Sequence, residues 1–345
     1  MQVLADTLLT PFHTLGIAAK AKKIVIAESL DDIAQLWGPS NQDAKLILGK
    51  GSNVFFAEDL DVTVVLNRLL GKAVTESDLH YHLHIGGGED WPAFVAWTVE
   101  NGFNGLENMA LIPGCVGSAP IQNIGAYGLE LKDVCEYVDA FNIGTQQVER
   151  LSAAQCRFGY RDSIFKHEYQ HSHIIVAVGL RLAKQWTPLL NYGPLQSLAD
   201  GEVTAQQIFE RVCQVRMEKL PDPNVIGNAG SFFKNPLVTA ELAQTLLLAS
   251  PTMPHFPAAN GEVKLAAGWL IDQCGLKGLT VGGARVHPQQ ALVLTNINSA
   301  SAQDLIDLAQ HVVDAVNAKF GVLLEHEVRF YNAQGETRLE ALVDA

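Results

Sequence analysis

Three residues of this chain have side chains suited to steering charge and protons through a reaction: Arg161, Ser231 and Glu327. Arg161 lies in Arg157-Phe-Gly-Tyr-Arg-Asp-Ser163. A guanidinium there can grip a carboxylate through two parallel hydrogen bonds and stabilise a developing enolate; the plainer reading is an ion pair with Asp162. Ser231 lies in Gly227-Asn-Ala-Gly-Ser-Phe-Phe-Lys-Asn-Pro236. With Gly230 before it and two Phe after it, its hydroxyl is expected in a water-poor pocket where it can pass a proton. The stretch does not fit the G-x-S-x-G elbow of hydrolases, and a helix N-cap is the commoner fate of such a Ser. Glu327 shares one strand face with Glu325 and Arg329, opposite Leu324, Val328 and Phe330. That face is solvated by default, and Glu327 acquires a chemical role if it lines a cleft.

Main-chain chemistry is suggested by two further stretches. Ile112-Pro-Gly-Cys-Val-Gly-Ser-Ala-Pro-Ile-Gln-Asn-Ile-Gly-Ala-Tyr-Gly128 interleaves small residues with Ile121, Ile124 and Tyr127. Its backbone can approach a flat or anionic ligand where Cβ atoms would otherwise intrude; the alternative is a run of turns packed on a core. Gly49-Lys-Gly-Ser-Asn53 follows an apolar run and can cradle a pyrophosphate through N–H groups, the Ser hydroxyl and the Asn amide. It lacks the third glycine of a dinucleotide fingerprint and the Ser or Thr of a P-loop, so a tight turn explains it equally well. His80, His82 and His84 point one way from an alternating strand, but no carboxylate or Cys nearby in sequence completes a metal site, and none is expected.

These groups need elements to hold them. Lys45 to Leu48 and Val62 to Leu66 read as buried strands around the glycine loop, and Leu79 to Ile85 as an alternating strand that breaks at Gly86-Gly-Gly88. Trp91, Phe94, Val95, Thr98 and Val99 share a helix face that stops at Asn101-Gly102. Ile174 to Leu180 reads as a central strand, and residues 186–200 as a long loop able to act as a lid. Beyond a Pro-rich hinge near Lys219 come a helix over residues 241–249 and a long amphipathic helix carrying Leu305, Leu308, Ala309, Val312, Val313, Val316 and Phe320, stopped by Gly321. A final strand over residues 323–331 is expected.

With 345 residues, 48% of them hydrophobic, the chain can bury two or three cores. A net charge of −13 excludes nucleic-acid binding through a basic field, so any basic site is local. No apolar run is long enough for a bilayer and the N-terminus has no signal-peptide pattern, so no membrane insertion and a cytoplasmic location are expected. The odd set Cys115, Cys135, Cys156, Cys213 and Cys274, without a C-x-x-C pair, suits reduced thiols.

The glycine-rich stretch, Tyr160-Arg161-Asp162-Ser163, Asn228-Ala-Gly-Ser-Phe-Phe-Lys-Asn235 and Glu325-His-Glu-Val-Arg-Phe330 together resemble the UDP-N-acetylenolpyruvoylglucosamine reductases, also called UDP-N-acetylmuramate dehydrogenases. The resemblance runs from His13-Thr-Leu-Gly16 to Phe330, with several motifs in order and at family-like distances. It implies an α+β protein: an FAD-binding fold of the vanillyl-alcohol-oxidase/PCMH type in two subdomains, residues 1–70 and 71–218 with 321–345 returning to the second, plus a substrate-binding domain over residues 219–320. The implied reaction belongs to peptidoglycan synthesis. NADPH reduces FAD, hydride passes from flavin N5 to the vinyl carbon of UDP-N-acetylglucosamine enolpyruvate, and a proton completes UDP-N-acetylmuramate.

By the same resemblance Arg161 and Glu327 stabilise the enolate and Ser231 donates the proton. Gly49, Gly51, Ser52 and Asn53 match the pyrophosphate loop, and Ile121, Asn123, Gly125 and Tyr160 the rest of the FAD site. Tyr127, Tyr192, Lys219, Asn235, Lys277 and Gln290 match the groups that bind the UDP-sugar, and Tyr192 in Asn191-Tyr-Gly-Pro194 places the chain with the longer form of the family. NADPH and the sugar are expected to use one cleft in turn, on a monomer. His13-Thr-Leu-Gly16 departs from the more usual Asn-Thr-Phe-Gly, Lys50 replaces a common Glu or Gly, and Pro194 stiffens the tyrosine loop. Two rivals are an FAD-dependent oxidase of the vanillyl-alcohol-oxidase type, which leaves Ser231, Glu327 and the Lys219/Asn235 pair without a purpose, and a non-catalytic nucleotide-sugar-binding flavoprotein.

Overall fold

In the computed structural model of the chain, which describes every residue except 6, 40, 42, 200, 344 and 345, the apolar run 174–180 forms the middle of the strand His173–Ala183. That strand is central in an antiparallel five-stranded sheet ordered Gln147–Ser152, Cys135–Asn142, His173–Ala183, His80–Gly86, Lys72–Glu76. Its stretch 174–180 is apolar because both faces are covered there. Ile174 and Val176 pack with Val25, Ile33, Leu36 and Val65, whereas Val178 and Leu180 pack with Trp91 and Phe94. Each such side chain, fully buried, contributes about 1.5–3 kcal/mol.

The described residues group into two units, one of residues 1–7, 22–50 and 62–218, the other of residues 8–21, 51–61 and 219–345. One edge falls between Glu218 and Lys219. The others fall elsewhere than the boundaries 70/71 and 320/321: residues 321–345 group with 219–320, not with 71–218, and the glycine loop 49–53 contributes to both units.

The first unit also holds a four-stranded sheet, in which Lys45–Leu48 runs parallel to residues 63–66 of the strand Leu60–Asn67. The helix Leu30–Leu36 covers it, begun by a capping box in which Ser29 and Asp32 satisfy each other's N–H groups. Trp91–Glu100 is a helix, as its apolar spacing predicts, with Asp90 accepting from Ala93 N–H at its start. The alternating histidines are accounted for by side-chain pairing. His82 hydrogen-bonds with Glu136 at 2.9 Å and His84 with the Tyr137 hydroxyl at 2.9 Å, so a carboxylate remote in sequence does stand beside them. Among the described residues no cluster of three or more metal-ligating side chains forms.

Two segments depart from their sequence readings. Residues 193–198 of the expected loop form a 3-10 helix whose Leu195 is fully buried, and Asp200, the expected end of the loop, lies outside the described residues. The helix Ala205–Lys219, absent from the sequence reading, buries Ala205, Ile208, Val212 and Val215. Its start carries a legible signal: the Thr204 hydroxyl accepts from Gln207 N–H at 3.2 Å while Gln207 Oε1 accepts from Thr204 N–H at 2.9 Å.

The second unit is built on an antiparallel sheet ordered Gly227–Ser231, Val293–Asn296, Ala284–Val286, Thr280–Val281. The helix Ala302–Phe320 buries the expected stripe except for Phe320, which is partly exposed, and runs from a Ser301/Asp304 capping box to Gly321 in the left-handed region. The last strand is shorter than its alternation implies. It spans Arg329–Asn332 and pairs in parallel with Val54–Phe56. Before it the ladder is broken, because the N–H groups of Glu327 and Val328 both point at the Phe232 carbonyl, at 2.8 and 3.5 Å. Phe330 nevertheless packs edge-on against Phe55 and Phe232, which fixes the strand on the core.

Candidate active site

In the first unit the glycine-rich stretch and the Arg161 segment are fastened together. Ser163 Oγ donates to the Ile121 carbonyl at 2.7 Å, and Asn123 Nδ2 donates to the Gly159 carbonyl at 3.0 Å. Asn123 also holds Glu130 through Nδ2 and accepts from Lys132 N–H through Oδ1. Its side chain is thereby committed to the fold, and its main chain is what it offers a ligand. Gly125 sits beside it in the short hairpin of Gly125–Ala126 and Leu129–Glu130.

Arg161 has a left-handed backbone, φ 52°, an unusual state for a residue with a side chain. Two bonds hold it: Gly159 N–H donates to the Asp162 carbonyl at 2.9 Å and Lys166 Nζ to the Arg161 carbonyl at 3.0 Å. The guanidinium lies 5.7 Å from the Tyr160 ring centroid. The Asp162 carboxylate pairs with His167 at 2.9 Å.

Gly49 faces Cys115 so closely that a Cβ would stand 2.4 Å from its Sγ, and its carbonyl accepts from Arg68 Nη1 at 3.1 Å. Lys50 pairs with Asp90 at 3.2 Å. Tyr127, with φ 49°, meets the half-exposed Tyr192 edge-on at 5.8 Å, and burial pushes its phenol pKa up.

In the second unit Gly51 has φ 61°, and a Cβ there would stand 2.2 Å from the Phe12 carbonyl oxygen. Its own carbonyl accepts from Thr14 N–H at 3.0 Å. Beside it the Thr14 hydroxyl and His13 Nδ1 are buried and make no hydrogen bond among the described residues. A turn that admits only glycine, next to an orphaned buried hydroxyl and followed by Ser52, fits the pyrophosphate of FAD. Asn53 Nδ2 then donates to the Glu327 carbonyl at 3.2 Å, and Arg329 N–H to the Asn53 carbonyl at 3.1 Å.

Ser231 ends the strand Gly227–Ser231, opposite Val293, and is no helix cap. Gly230 precedes it with φ 73°, and the buried Phe232 and Phe233 follow. Its hydroxyl has no partner among the described residues. Because Glu327 N–H donates to the Phe232 carbonyl, the chain at Glu327 is tied to the residue after Ser231 and, through Asn53, to the glycine loop. Asn235 and Gln290 gather at the first turn of the helix Ala267–Gln273: Asn235 Oδ1 accepts from Ala267 N–H at 2.9 Å, and Gln290 Oε1 lies 3.5 Å from the Cβ position of Gly268. Lys277 pairs with Asp272 of that helix at 3.0 Å, and Lys219 is exposed at the end of its own helix. Asn108, Arg216, Thr14 and Cys115 were not singled out by sequence reasoning. Arg216 had one available signal, a charge continuing the apolar spacing of Ile208, Val212 and Val215.

Comparison with known proteins gives a consistent picture. Residues 21–152 match the family described as FAD binding domain, and residues 222–331 match that described as UDP-N-acetylenolpyruvoylglucosamine reductase, C-terminal domain. The chain is 56% identical to the UDP-N-acetylenolpyruvoylglucosamine reductase of Photobacterium profundum, over 99% of this chain and 100% of that protein. It is 55% identical to the protein of the same name from Escherichia coli (strain K12), over 95% and 96%. A crystal structure of UDP-N-acetylenolpyruvylglucosamine reductase from Thermus caldophilus shares the fold, with a TM-score of 0.67 at 24% identity over 96% of this chain and 99% of that one.

Proposed function

Since this chain belongs to the UDP-N-acetylenolpyruvoylglucosamine reductase family, we propose that it reduces the enolpyruvyl ether of UDP-N-acetylglucosamine enolpyruvate to the lactyl ether of UDP-N-acetylmuramate, an FAD-dependent step of peptidoglycan synthesis with NADPH as reductant. The observation that carries the reading is the tie of Glu327 both to the residue after Ser231 and to Asn53 of the glycine loop, which joins the groups assigned to proton transfer with those assigned to the cofactor. Bound FAD would supply the redox chemistry, the relay of a hydride from NADPH to the vinyl methylene carbon.

Everything else falls to the chain. Gly49, Gly51, Ser52 and Asn53 hold the pyrophosphate, while Ile121, Asn123, Gly125 and Tyr160 hold the remainder of the cofactor. Arg161 draws the charge that collects on the substrate carboxylate without competing for the proton, because a guanidinium stays charged throughout. Glu327 shares in stabilising the enolate. The Ser231 hydroxyl delivers its proton to the carbon bearing the carboxylate. Tyr127, Tyr192, Lys219, Asn235, Lys277 and Gln290 hold the UDP-sugar, so that FAD binding belongs to residues 1–218 and sugar binding mainly to 219–320.

The protein works as a monomer in this proposal, in the cytoplasm, where its five free thiols stay reduced. No helix among the described residues is long and apolar enough to cross a membrane. Incubating the holoenzyme with NADPH and the enolpyruvyl sugar tests the function: one NADPH consumed for each sugar product heavier by two hydrogens is expected. Consumption of NADPH only with oxygen, leaving the sugar unchanged, would overturn it in favour of an oxidase.

A further inference from the structure

The imidazole of His287 is held by the main chain of its own loop. Its Nδ1 accepts from the N–H of Gln290 at 3.1 Å and from the N–H of Gln289 at 3.3 Å. Both partners are donors, so Nδ1 carries a lone pair and the ring proton sits on Nε2. Burial, and then the charge of Arg285, hold the pKa of His287 below the usual histidine value, which keeps the ring in the neutral form that this geometry needs.

Side-chain acceptors that bond N–H groups two and three residues ahead are usually the oxygens of Asp, Asn, Ser or Thr. Nδ1 of a histidine stands as many bonds from Cβ as Oδ1 of an asparagine, and here it serves the same purpose. The loop 287–292 joins the strands Ala284–Val286 and Val293–Asn296. Its base is closed by His287 N–H donating to the Val293 carbonyl at 2.9 Å, and its second half is folded by Val293 N–H donating to the Gln290 carbonyl at 3.0 Å. Pro288 has no N–H, so Nδ1 takes both main-chain donors that lie between His287 and Ala291.

Two contacts give this loop a bearing on the site. Gln290 Oε1 and Leu292 Cγ lie 3.5 and 3.3 Å from the Cβ position of Gly268, in the first turn of the helix Ala267–Gln273, where the Asn235 side chain also arrives. Beyond Gln290 the chain runs into Leu292, whose carbonyl accepts from Phe232 N–H at 2.7 Å, and into Val293, which pairs with Ser231. Gln290 is therefore set between the start of that helix and the strand of Ser231, and the His287 ring holds its main chain from the other side.

We propose that His287 is a positioning residue for the sugar nucleotide: its Nδ1 fixes the main chain of Gln289 and Gln290, so that the Gln290 side chain meets the ligand already oriented. The inference rests on the proposed function for the role it gives Gln290. A group held in place beforehand loses less freedom on binding, so the effect is read in affinity.

Calorimetric titration of the oxidised holoenzyme with UDP-N-acetylglucosamine enolpyruvate tests this. His287→Leu, which keeps bulk without an acceptor, is expected to weaken binding about tenfold with FAD retained. The Gln289 bond is exposed and the Gln290 bond partly buried, so water replaces the lost acceptor and the variant stays folded. His287→Asn restores an acceptor at the same distance from Cβ and is expected within about threefold of the wild type. His287→Gln moves the acceptor one bond further out and is expected to behave as His287→Leu. In a Gln290→Ala background, adding His287→Leu should cost less than about twofold, because His287 acts through Gln290. A His287→Leu enzyme that binds the sugar as tightly as the wild type would overturn the proposal. So would loss of fold or of FAD in that variant, equal losses in His287→Asn and His287→Leu, or full additivity with Gln290→Ala, each the mark of a merely structural histidine. A wild-type holoenzyme that binds no enolpyruvyl sugar would instead overturn the proposed function, and this inference with it.

Discussion

The side-chain amide of Asn108 donates one hydrogen to the main-chain carbonyl of Tyr127 at 2.9 Å and the other to that of Leu189 at 3.0 Å. Both partners are acceptors, which sets the orientation of the amide. One buried residue thus joins the end of the glycine-rich stretch to the beginning of the segment that carries Tyr192. Its neighbour Glu107 reinforces the joint, accepting from Trp186 Nε1 and from Gly105 N–H, each at 2.7 Å. Asn108→Leu keeps the shape and removes both donors, leaving two carbonyls unsatisfied at about 1–3 kcal/mol each. Urea unfolding of the holoprotein should show a loss of about 2–6 kcal/mol and the KM for the enolpyruvyl sugar should rise, with FAD retained; unchanged stability and KM would contradict this role.

Gly49 makes a sharper steric prediction. A Cβ at this position meets Cys115 Sγ at 2.4 Å but Cys115 Cβ at 3.7 Å, an ordinary contact. Gly49→Ala alone should cost about 1–3 kcal/mol and weaken FAD retention, and adding Cys115→Ala should restore both. Thermal unfolding and the flavin-to-protein absorbance ratio of the two variants report the outcome, and a double variant as weak as the single one would count against the clash.

His13 gives the protein an acid-sensitive point. Burial holds its pKa down at about 4, against 6.5 in an unperturbed His, while Nε2 hydrogen-bonds with the Ile17 carbonyl at 3.0 Å. Between those two pH values the unfolded chain binds the proton that the folded chain refuses. Stability from this group is therefore complete above about pH 6.5 and is lost as the pH falls toward 4, by about 3 kcal/mol in all. His13→Asn, which removes the titrating ring and keeps a polar side chain, should flatten that limb of a stability–pH curve measured by urea unfolding. An unchanged acid limb would show that other groups govern it.

How much of this was legible in the sequence follows from the range of the interactions. The helix Trp91–Glu100, the strand His173–Ala183 and the helix Ala302–Phe320 announce themselves because their burial pattern is periodic over several turns or over an unbroken apolar run. The helix Ala205–Lys219 was harder to see, since Gln, Glu and Arg fill the positions between its few apolar anchors, and its Thr204/Gln207 box is a two-residue signal. The short final strand could not be read from alternation: Leu324, Val328 and Phe330 are buried as the pattern implies, but a single carbonyl, that of Phe232, interrupts the ladder. Ser231, Arg161 and Glu327 stand out by motif. Asn108 does not, because its importance lies in partners 19 and 81 residues away.

Ser231→Ala separates proton delivery from hydride transfer. Anaerobic reduction of the flavin by NADPH should stay within about twofold of the wild type, while reoxidation by the enolpyruvyl sugar should slow by about 10²–10⁴-fold, the usual contribution of a positioned acid. Stopped-flow absorbance resolves the two steps. Equal slowing of both would remove Ser231 from the role of proton donor.

The most direct test of the whole account is the visible spectrum of the purified protein under anaerobic conditions, recorded with NADPH and then with UDP-N-acetylglucosamine enolpyruvate. The account predicts a flavin spectrum that bleaches on the first addition and returns in full on the second, without oxygen. A flavin that bleaches and stays bleached when the sugar is added would contradict it.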